Sequence, residues 1–210
     1  MLVLALDTAT TDLVAGVVDG QRVLAQTCAA TRAHNERLMP EITRLMGEAG
    51  VEFADLEAIV VGCGPGPFTG LRVGMATASA LGQALGIPVH GVCTHDAVAA
   101  ELAGDALVVT DARRHEVYWA RYAGGARVAG PDVCKPADLS SPAVDVVSVP
   151  EALADQLAVS TPSVTYQPPT PAGLVAAADF SAPPAPVVPL YLRRPDAVPP
   201  KQAPKSPALP

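Results

Sequence analysis

The stretch Gly62-Cys63-Gly64-Pro65-Gly66-Pro67-Phe68-Thr69-Gly70-Leu71-Arg72-Val73-Gly74 carries the densest chemical signal in the chain. A glycine-rich turn between a strand and a helix gathers backbone N–H groups at a helix N-terminus, where an anion can bind. Pro65 and Pro67 stiffen the turn, Gly64 and Gly66 permit positive φ, and Thr69 is placed to cap the helix. The same residues also suit a structural elbow at which two backbones cross closely. No Gly-Lys-Ser/Thr follows, so the stretch is not a P-loop. A second polar turn, Asp7-Thr8-Ala9-Thr10-Thr11, offers oxygens to a hydrogen-bonding ligand or a cation. Asp7, Thr8, Gly64 and Gly66 are therefore the candidate cofactor-binding residues.

Other chemistries find weaker support. A helix-borne metal site needs ligands about four residues apart on one face. Of the histidines at 34, 90, 95 and 115, the nearest pair, His90 and His95, is five apart across a strand end. His34 reads as a helix-start or surface residue. Thr69 and Ser79 have no histidine near them in sequence to act as a general base. Asp7 and Asp111 offer either a carboxylate pair across a cleft or two side chains that each accept N–H bonds at a strand end. Asp111-Ala112-Arg113-Arg114 is too bulky for a phosphate loop, which needs glycine so that phosphates can approach bare backbone. No catalytic residue and no metal ligand is assigned to this chain.

These groups must be positioned by alternating strands and helices. Leu2–Leu6 is a central strand, followed after the polar turn by strands over Leu13–Val18 and Arg22–Thr27 around a hairpin at Asp19-Gly20. Leu38, Met39, Ile42, Leu45, Met46 and Ala49 fall within an arc of about 120° on a first helix, stopped by Gly50 and kinked or interrupted at Pro40. A strand over Ala58–Val61 leads through the glycine turn to a second helix over Thr69–Leu85. Only Arg72, Ser79 and Gln83 form a polar strip there, and Gly70, Gly74, Ala78 and Gly82 recur every four residues. So wide an apolar arc must be covered on two sides, by the sheet and by a neighbouring helix or a second subunit. Ile87–Val92, Ala106–Asp111, Glu116–Tyr122 and Ala126–Ala129 read as further strands, Asp96–Leu102 as a short helix, and Gly124-Gly125 as a hairpin turn. Tyr118 and Trp119 alternate on their strand, one toward the core and one toward the surface.

The chain has 210 residues, is half hydrophobic and carries a formal net charge of −7. That length buries about 70% of the unfolded surface. No apolar run reaches the roughly 18 residues of a membrane helix, and no basic region precedes an apolar stretch at the start, so a cytoplasmic protein with no membrane partner is expected. Cys28, Cys63, Cys93 and Cys134 form no Cys-x-x-Cys pair and read as small buried hydrophobes in a reducing compartment. No basic cluster exceeds two adjacent arginines, so if this chain serves RNA, another subunit does most of the gripping.

Four ordered motifs resemble the bacterial TsaB (YeaZ) family. They are Leu4-Ala5-Leu6-Asp7-Thr8; His34 with Arg37-Leu38-Met39-Pro40; Gly64 through Gly74; and Thr110-Asp111-Ala112-Arg113 with Glu116-Val117-Tyr118-Trp119. The likeness returns at Pro189-Leu190-Tyr191-Leu192-Arg193. Pro67 stands where the family more often has serine, which removes a hydroxyl and an N–H. The resemblance implies an α/β, actin-like ATPase (ribonuclease H-like) fold with two mixed-sheet lobes, residues 1–103 and a reduced second lobe over 104–194; the proline content of residues 195–210 predicts an extended or disordered tail there. It implies a non-catalytic scaffold in the tRNA threonylcarbamoyladenosine modification complex, which pairs with the catalytic paralogue TsaD through the first lobe's two helices and joins the ATPase TsaE, with a homodimer when unpaired. The interface expected from those helices comprises Leu38, Met39, Ile42, Leu45, Met46, Gly70, Leu71, Gly74, Met75, Ala78 and Gly82. No cofactor is expected on this chain alone; ATP and a metal are implied for the partner subunits. The competing reading is an actin-fold ATPase or metallopeptidase acting alone.

Overall fold

The computed structural model describes residues 1–193. The first sheet is built from β1 (Leu2–Asp7), β2 (Asp12–Asp19), β3 (Arg22–Ala30), β4 (Ala58–Gly62) and β5 (Val89–Val92), in the order β3-β2-β1-β4-β5. The hairpin strands are antiparallel and β1, β4 and β5 are parallel. Gly20, at φ 60, makes the hairpin turn. Strand periodicity divides the apolar runs between two cores. Leu4, Leu6, Ile59 and Val61 face one side, and Val3, Ala5, Ala58 and Val60 the other.

The first face is covered by α1 (His34–Ala49) and α2 (Phe68–Leu85). Leu38, Ile42, Leu45 and Met46 form the buried stripe of α1, and Gly50 closes the helix in the left-handed conformation. Pro40 neither breaks nor ends it: the seventh residue of the helix, it lies on the exposed side. The opposite face carries α3 (Thr94–Ala99) and α5 (Pro171–Ala176).

The second sheet repeats the first. Its strands are β6 (Ala106–Asp111), β7 (Val117–Ala123), β8 (Ala126–Cys134), β9 (Val146–Ser148) and β10 (Val164–Thr165), in the order β10-β9-β6-β7-β8, with α4 (Glu151–Ala154) between β9 and β10. Again an antiparallel meander joins a parallel pair at the first strand of the unit. The two lobes thus share one topology, the second with shorter parallel strands. Tyr118 is buried and Trp119 packs partly buried against the second-lobe core, so neither points freely outward.

The second lobe does not extend to residue 194 as a unit. After β10 the chain returns to the first lobe. Pro171 of α5 sits against Gly16, where a Cβ would lie 2.5 Å from the proline ring, and Gly173 abuts the Ala97 carbonyl. Phe180 then packs on the α5 side of the first sheet and Val187 on the α1–α2 side, so residues 181–186 pass around the β5 edge. The return follows from burial: Leu174 completes a core that α3 alone is too short to cover. The tail over 195–210 lies outside the described residues. Among the described residues, no helix is long and apolar enough to cross a membrane.

Candidate functional site

The polar turn after β1, the glycine turn after β4 and the start of α3 meet where the lobes join. Asp7 is fully buried; its Oδ1 accepts the Ala9 N–H at 2.7 Å and its Oδ2 accepts the Thr94 hydroxyl at 2.7 Å. Burial raises this carboxyl to about 6, and the Ala9 and Thr94 hydrogen bonds pull the other way. Thr94 in turn accepts the Gly64 N–H at 3.2 Å. Thr8 reaches into α2, donating to the Gly70 carbonyl at 2.7 Å and accepting the Gly74 N–H at 2.9 Å. All four candidate cofactor residues therefore serve internal packing, a correction to the anion-cradle reading.

The glycines explain themselves the same way. A Cβ on Gly62 would lie 1.8 Å from Asp7 Oδ2, on Gly66 2.1 Å from the Ala9 carbonyl oxygen, and on Gly74 2.5 Å from Thr8 Oγ1. Backbone crosses backbone here, and side chains would prevent it. Thr69 is not the helix cap: α2 begins at Phe68 behind Pro67, whose φ of −61° and ψ of 136° set the entry, and no side chain caps it.

Across the cleft, Asp111 Oδ1 accepts the Arg113 N–H at 2.7 Å, and Arg113, Arg114 and His115 all adopt left-handed φ. Asp7 faces into its own lobe, so the two aspartates do not form a carboxylate pair. His90 and His95 are both buried. His95 bonds the Thr110 hydroxyl at 2.9 Å across the lobes, and burial, aided by the Arg127 guanidinium, pushes its imidazole down to about 3. His34 opens α1, half-buried. Among the described residues, no three His, Cys, Asp or Glu side chains converge as metal ligands.

The expected interface list requires the larger correction. Leu38, Ile42, Leu45, Met46, Leu71, Gly74, Met75, Ala78 and Gly82 are buried inside this chain. The small-residue stripe of α2 faces Thr8 and β5; a Cβ on Gly82 would lie 2.2 Å from Val89. Of the eleven, Met39 alone is exposed, and Gly70 is half-buried. The second cover that α2 needs is thus largely its own sheet and the loop after β1. What α2 turns outward is Arg72, Ala76, Ser79, Ala80, Gln83 and Ala84. Beside it α1 shows Met39, Pro40, Thr43 and Gly47, with Arg37, Glu41, Arg44 and Glu48 linked in a surface ion network. The sequence reading found Met39 and the Arg72, Ser79 and Gln83 strip but missed Ala76, Ala80 and Ala84, because a wheel apolar nearly all round does not say which arc meets the sheet.

The Pro189–Arg193 motif has a visible role. Leu190 donates its N–H to the Cys63 carbonyl at 2.8 Å. Tyr191 stacks on Phe68 with centroids 4.5 Å apart, and its hydroxyl accepts Arg72 Nε–H at 2.7 Å. Arg193 pairs with Glu116 and donates to the Arg113 carbonyl, so this segment ties the glycine turn to the second lobe.

Comparison with known proteins places this geometry. The family model described as "TsaD: tRNA N6-adenosine threonylcarbamoyltransferase" matches residues 23–183. An uncharacterized protein of Mycobacterium tuberculosis (strain H37Rv) is 53% identical over 205 residues, covering 94% of each chain. The tRNA threonylcarbamoyladenosine biosynthesis protein TsaB of Escherichia coli (strain K12) is 34% identical over 127 residues, 58% of this chain and 55% of that one. YeaZ from Pseudomonas aeruginosa superposes with a TM-score of 0.79 at 25% identity, covering 91% of this chain and 99% of that one. With its two mixed-sheet lobes of one topology and its matched residues, the chain belongs to the TsaB (YeaZ) family, within the wider group that the threonylcarbamoyltransferase model describes.

Proposed function

We propose that this protein is a scaffold subunit in tRNA threonylcarbamoyladenosine biosynthesis, pairing through the outward face of α1 and α2 with a TsaD-like threonylcarbamoyltransferase. Membership of the TsaB family supports the pathway. The observation that carries the scaffold reading is the fate of the first-lobe loop: both oxygens of Asp7 and the hydroxyl of Thr8 are engaged inside the protein. Groups so engaged are not presented to a phosphate or a cation.

The docking face follows from exposure. Ala76, Ala80 and Ala84 lie along one exposed line of α2, Met39 is exposed on α1, and short side chains let a partner helix approach closely. The pair then offers the surface to which a TsaE-like ATPase adds, with ATP and metal held by the partner subunits. When no paralogue is present, the same face serves a homodimer. With a net charge of −7, this chain leaves the gripping of tRNA to its partners, in a cytoplasmic complex.

Light scattering after size exclusion tests the reading, using the chain mixed with its threonylcarbamoyltransferase paralogue. A one-to-one complex that is lost in Ala76→Arg and Ala80→Arg, both folded, is expected. A complex of undiminished strength in both variants overturns the assigned face. ATP turnover by the purified chain, abolished by Asp7→Asn, overturns the non-catalytic reading.

A further inference from the structure

An edge strand turns the N–H and C=O of every second residue away from its sheet, where another chain can pair with them. Among the described residues the two sheets have four edges, and three are protected. Residues 181–186 pass around β5, and Val187 packs against Gly91. β8 carries Pro131, which has no N–H, with Arg127, Asp132 and register shifts against β7. β10 is two residues long. The fourth edge, β3, is open. Its one register shift falls at its start, opposite Val17 and Val18. From Ala25 to Ala30 it runs regularly, with no charge, proline or glycine. Among the described residues, no backbone group outside β2 bonds to this stretch.

A second observation, independent of the strand, concerns α1, which lies over β2 and β3. With Leu38, Ile42, Leu45 and Met46 facing the sheet, Arg37, Glu41, Arg44 and Glu48 fall within an arc of about 60° on one flank of the helix. A right-handed crossover from β1 to β4 sets α2 beside the opposite flank, so the charged stripe stands above the open side of β3. The stripe alternates in sign along the helix. Turned end for end about a point between Ile42 and Thr43, it places Arg37 against Glu48 and Glu41 against Arg44. Such an order is its own complement on an antiparallel copy. The four side chains are already linked along the helix, yet Arg37, Arg44 and Glu48 stay about half exposed and within reach of a neighbour.

Strand and helix share one symmetry. A two-fold axis perpendicular to the first sheet, just outside β3, pairs two β3 strands antiparallel and sets two α1 helices antiparallel on the same side of the sheet. Because α1 lies over β2 and β3, the helix axes then fall about two strand spacings apart, roughly 10 Å, an ordinary packing distance. We propose that the β3 edge and the charged flank of α1 bind a second copy of this chain, doubling the five-stranded sheet. The charges select the occupant, since the complement that the stripe requires is the stripe itself. This surface lies on the opposite flank of α1 from Met39 and Thr43, and the inference does not rest on pairing with the threonylcarbamoyltransferase paralogue.

Sedimentation equilibrium of the full chain carrying Ala76→Arg, which blocks the α1–α2 face, tests the assignment. A mass approaching two chains at about 100 µM is expected. Glu41→Arg makes two symmetry-related pairs of the interface like-charged, and so does Arg44→Glu. Each alone should weaken the dimer about tenfold. Mixed in equal amounts, the two variants should recover the original affinity, because each carries the complement of the other. Cys28→Lys, an added charge in the middle of the regular stretch of β3, should also weaken association. A monomer at about 100 µM in the Ala76→Arg background overturns the proposal. So does a dimer that both charge variants leave unchanged while melting shows them folded, or a mixture that associates no more tightly than the variants do apart.

Discussion

The Thr8 hydroxyl is inserted between Gly70 and Gly74, in the first turns of α2. It accepts the Gly74 N–H at 2.9 Å while donating to the Gly70 carbonyl at 2.7 Å, so one side chain of the loop after β1 stands in for a helical hydrogen bond. The insertion requires both ends. A bulkier residue at 74 would displace Thr8, and a residue without a hydroxyl at 8 would orphan two backbone groups.

Thr8→Val tests the bridge at nearly constant volume. With a buried N–H and C=O left unpaired, a loss of about 1–3 kcal/mol is expected, read as a lower urea midpoint at unchanged slope. Thr8→Ser keeps the hydroxyl and should recover most of it. Equal midpoints for Val and natural protein would remove the bridge from the account of stability.

Position along α2 decides what a substitution does. Gly74→Ala places a methyl 2.5 Å from Thr8 Oγ1 and should destabilise by about 1–3 kcal/mol, overpacking a closed seam. Ala78→Arg, fully buried, should prevent folding. Ala76→Arg and Ala80→Arg, on the exposed side, should leave the melting temperature within a few degrees and act only on pairing. Thermal melts beside the pairing assay separate the two classes.

Two buried groups set opposing pH dependences. Asp7 is raised from 3.8 to about 6, so folding favours its protonated form; its stabilisation is full below pH 3.8 and is lost as pH rises through 6. His95 is lowered from 6.5 to about 3, so folding favours its neutral form; its stabilisation is full above pH 6.5 and is lost as pH falls toward 3. His95 is displaced further and dominates. Melting temperatures from pH 7.5 to 4 should therefore fall on acidification, less steeply in His95→Gln and more steeply in Asp7→Asn. Parallel curves for all three proteins would contradict both assignments.

The thiols should differ in reactivity. Burial raises Cys63 to about 12 and Cys93 to about 11; it raises Cys28 as well, with Asp12 adding to the shift, but Cys28 lies exposed on the edge strand β3 and is open to reagent. A thiol reagent at pH 8 should label Cys28 in the folded protein, faster as pH rises, and reach Cys63 and Cys93 only on unfolding. Fast labelling of Cys63 in folded protein would show that the segment over it opens readily.

That segment gives the last test. Tyr191→Ala removes the stack on Phe68 and the bond from Arg72, and should cost about 1–2 kcal/mol while speeding exchange of the Leu190 amide bonded to Cys63. Unaltered exchange at Leu190 would mean that the backbone bond alone holds the segment.

Local pattern in the chain determined the first lobe almost element by element. Leu2–Leu6 and Ala58–Val61 are apolar on both strand faces and so had to be central; Asp19-Gly20 and Gly124-Gly125 had to turn; Gly50 had to end α1. The ordered motifs determined the family. Tertiary structure alone decided the rest. Whether Gly64 and Gly66 cradle an anion or admit another backbone depends on Ala9 and Thr94, which are distant in sequence. Whether Gly74 and Ala78 meet a partner or their own lobe depends on which arc of α2 the sheet occupies, and a wheel apolar nearly all round leaves that undetermined. The return of α5 and of residues 181–190 to the first lobe was equally illegible, because short Pro- and Ala-rich runs acquire their burial only from the sheet they pack against.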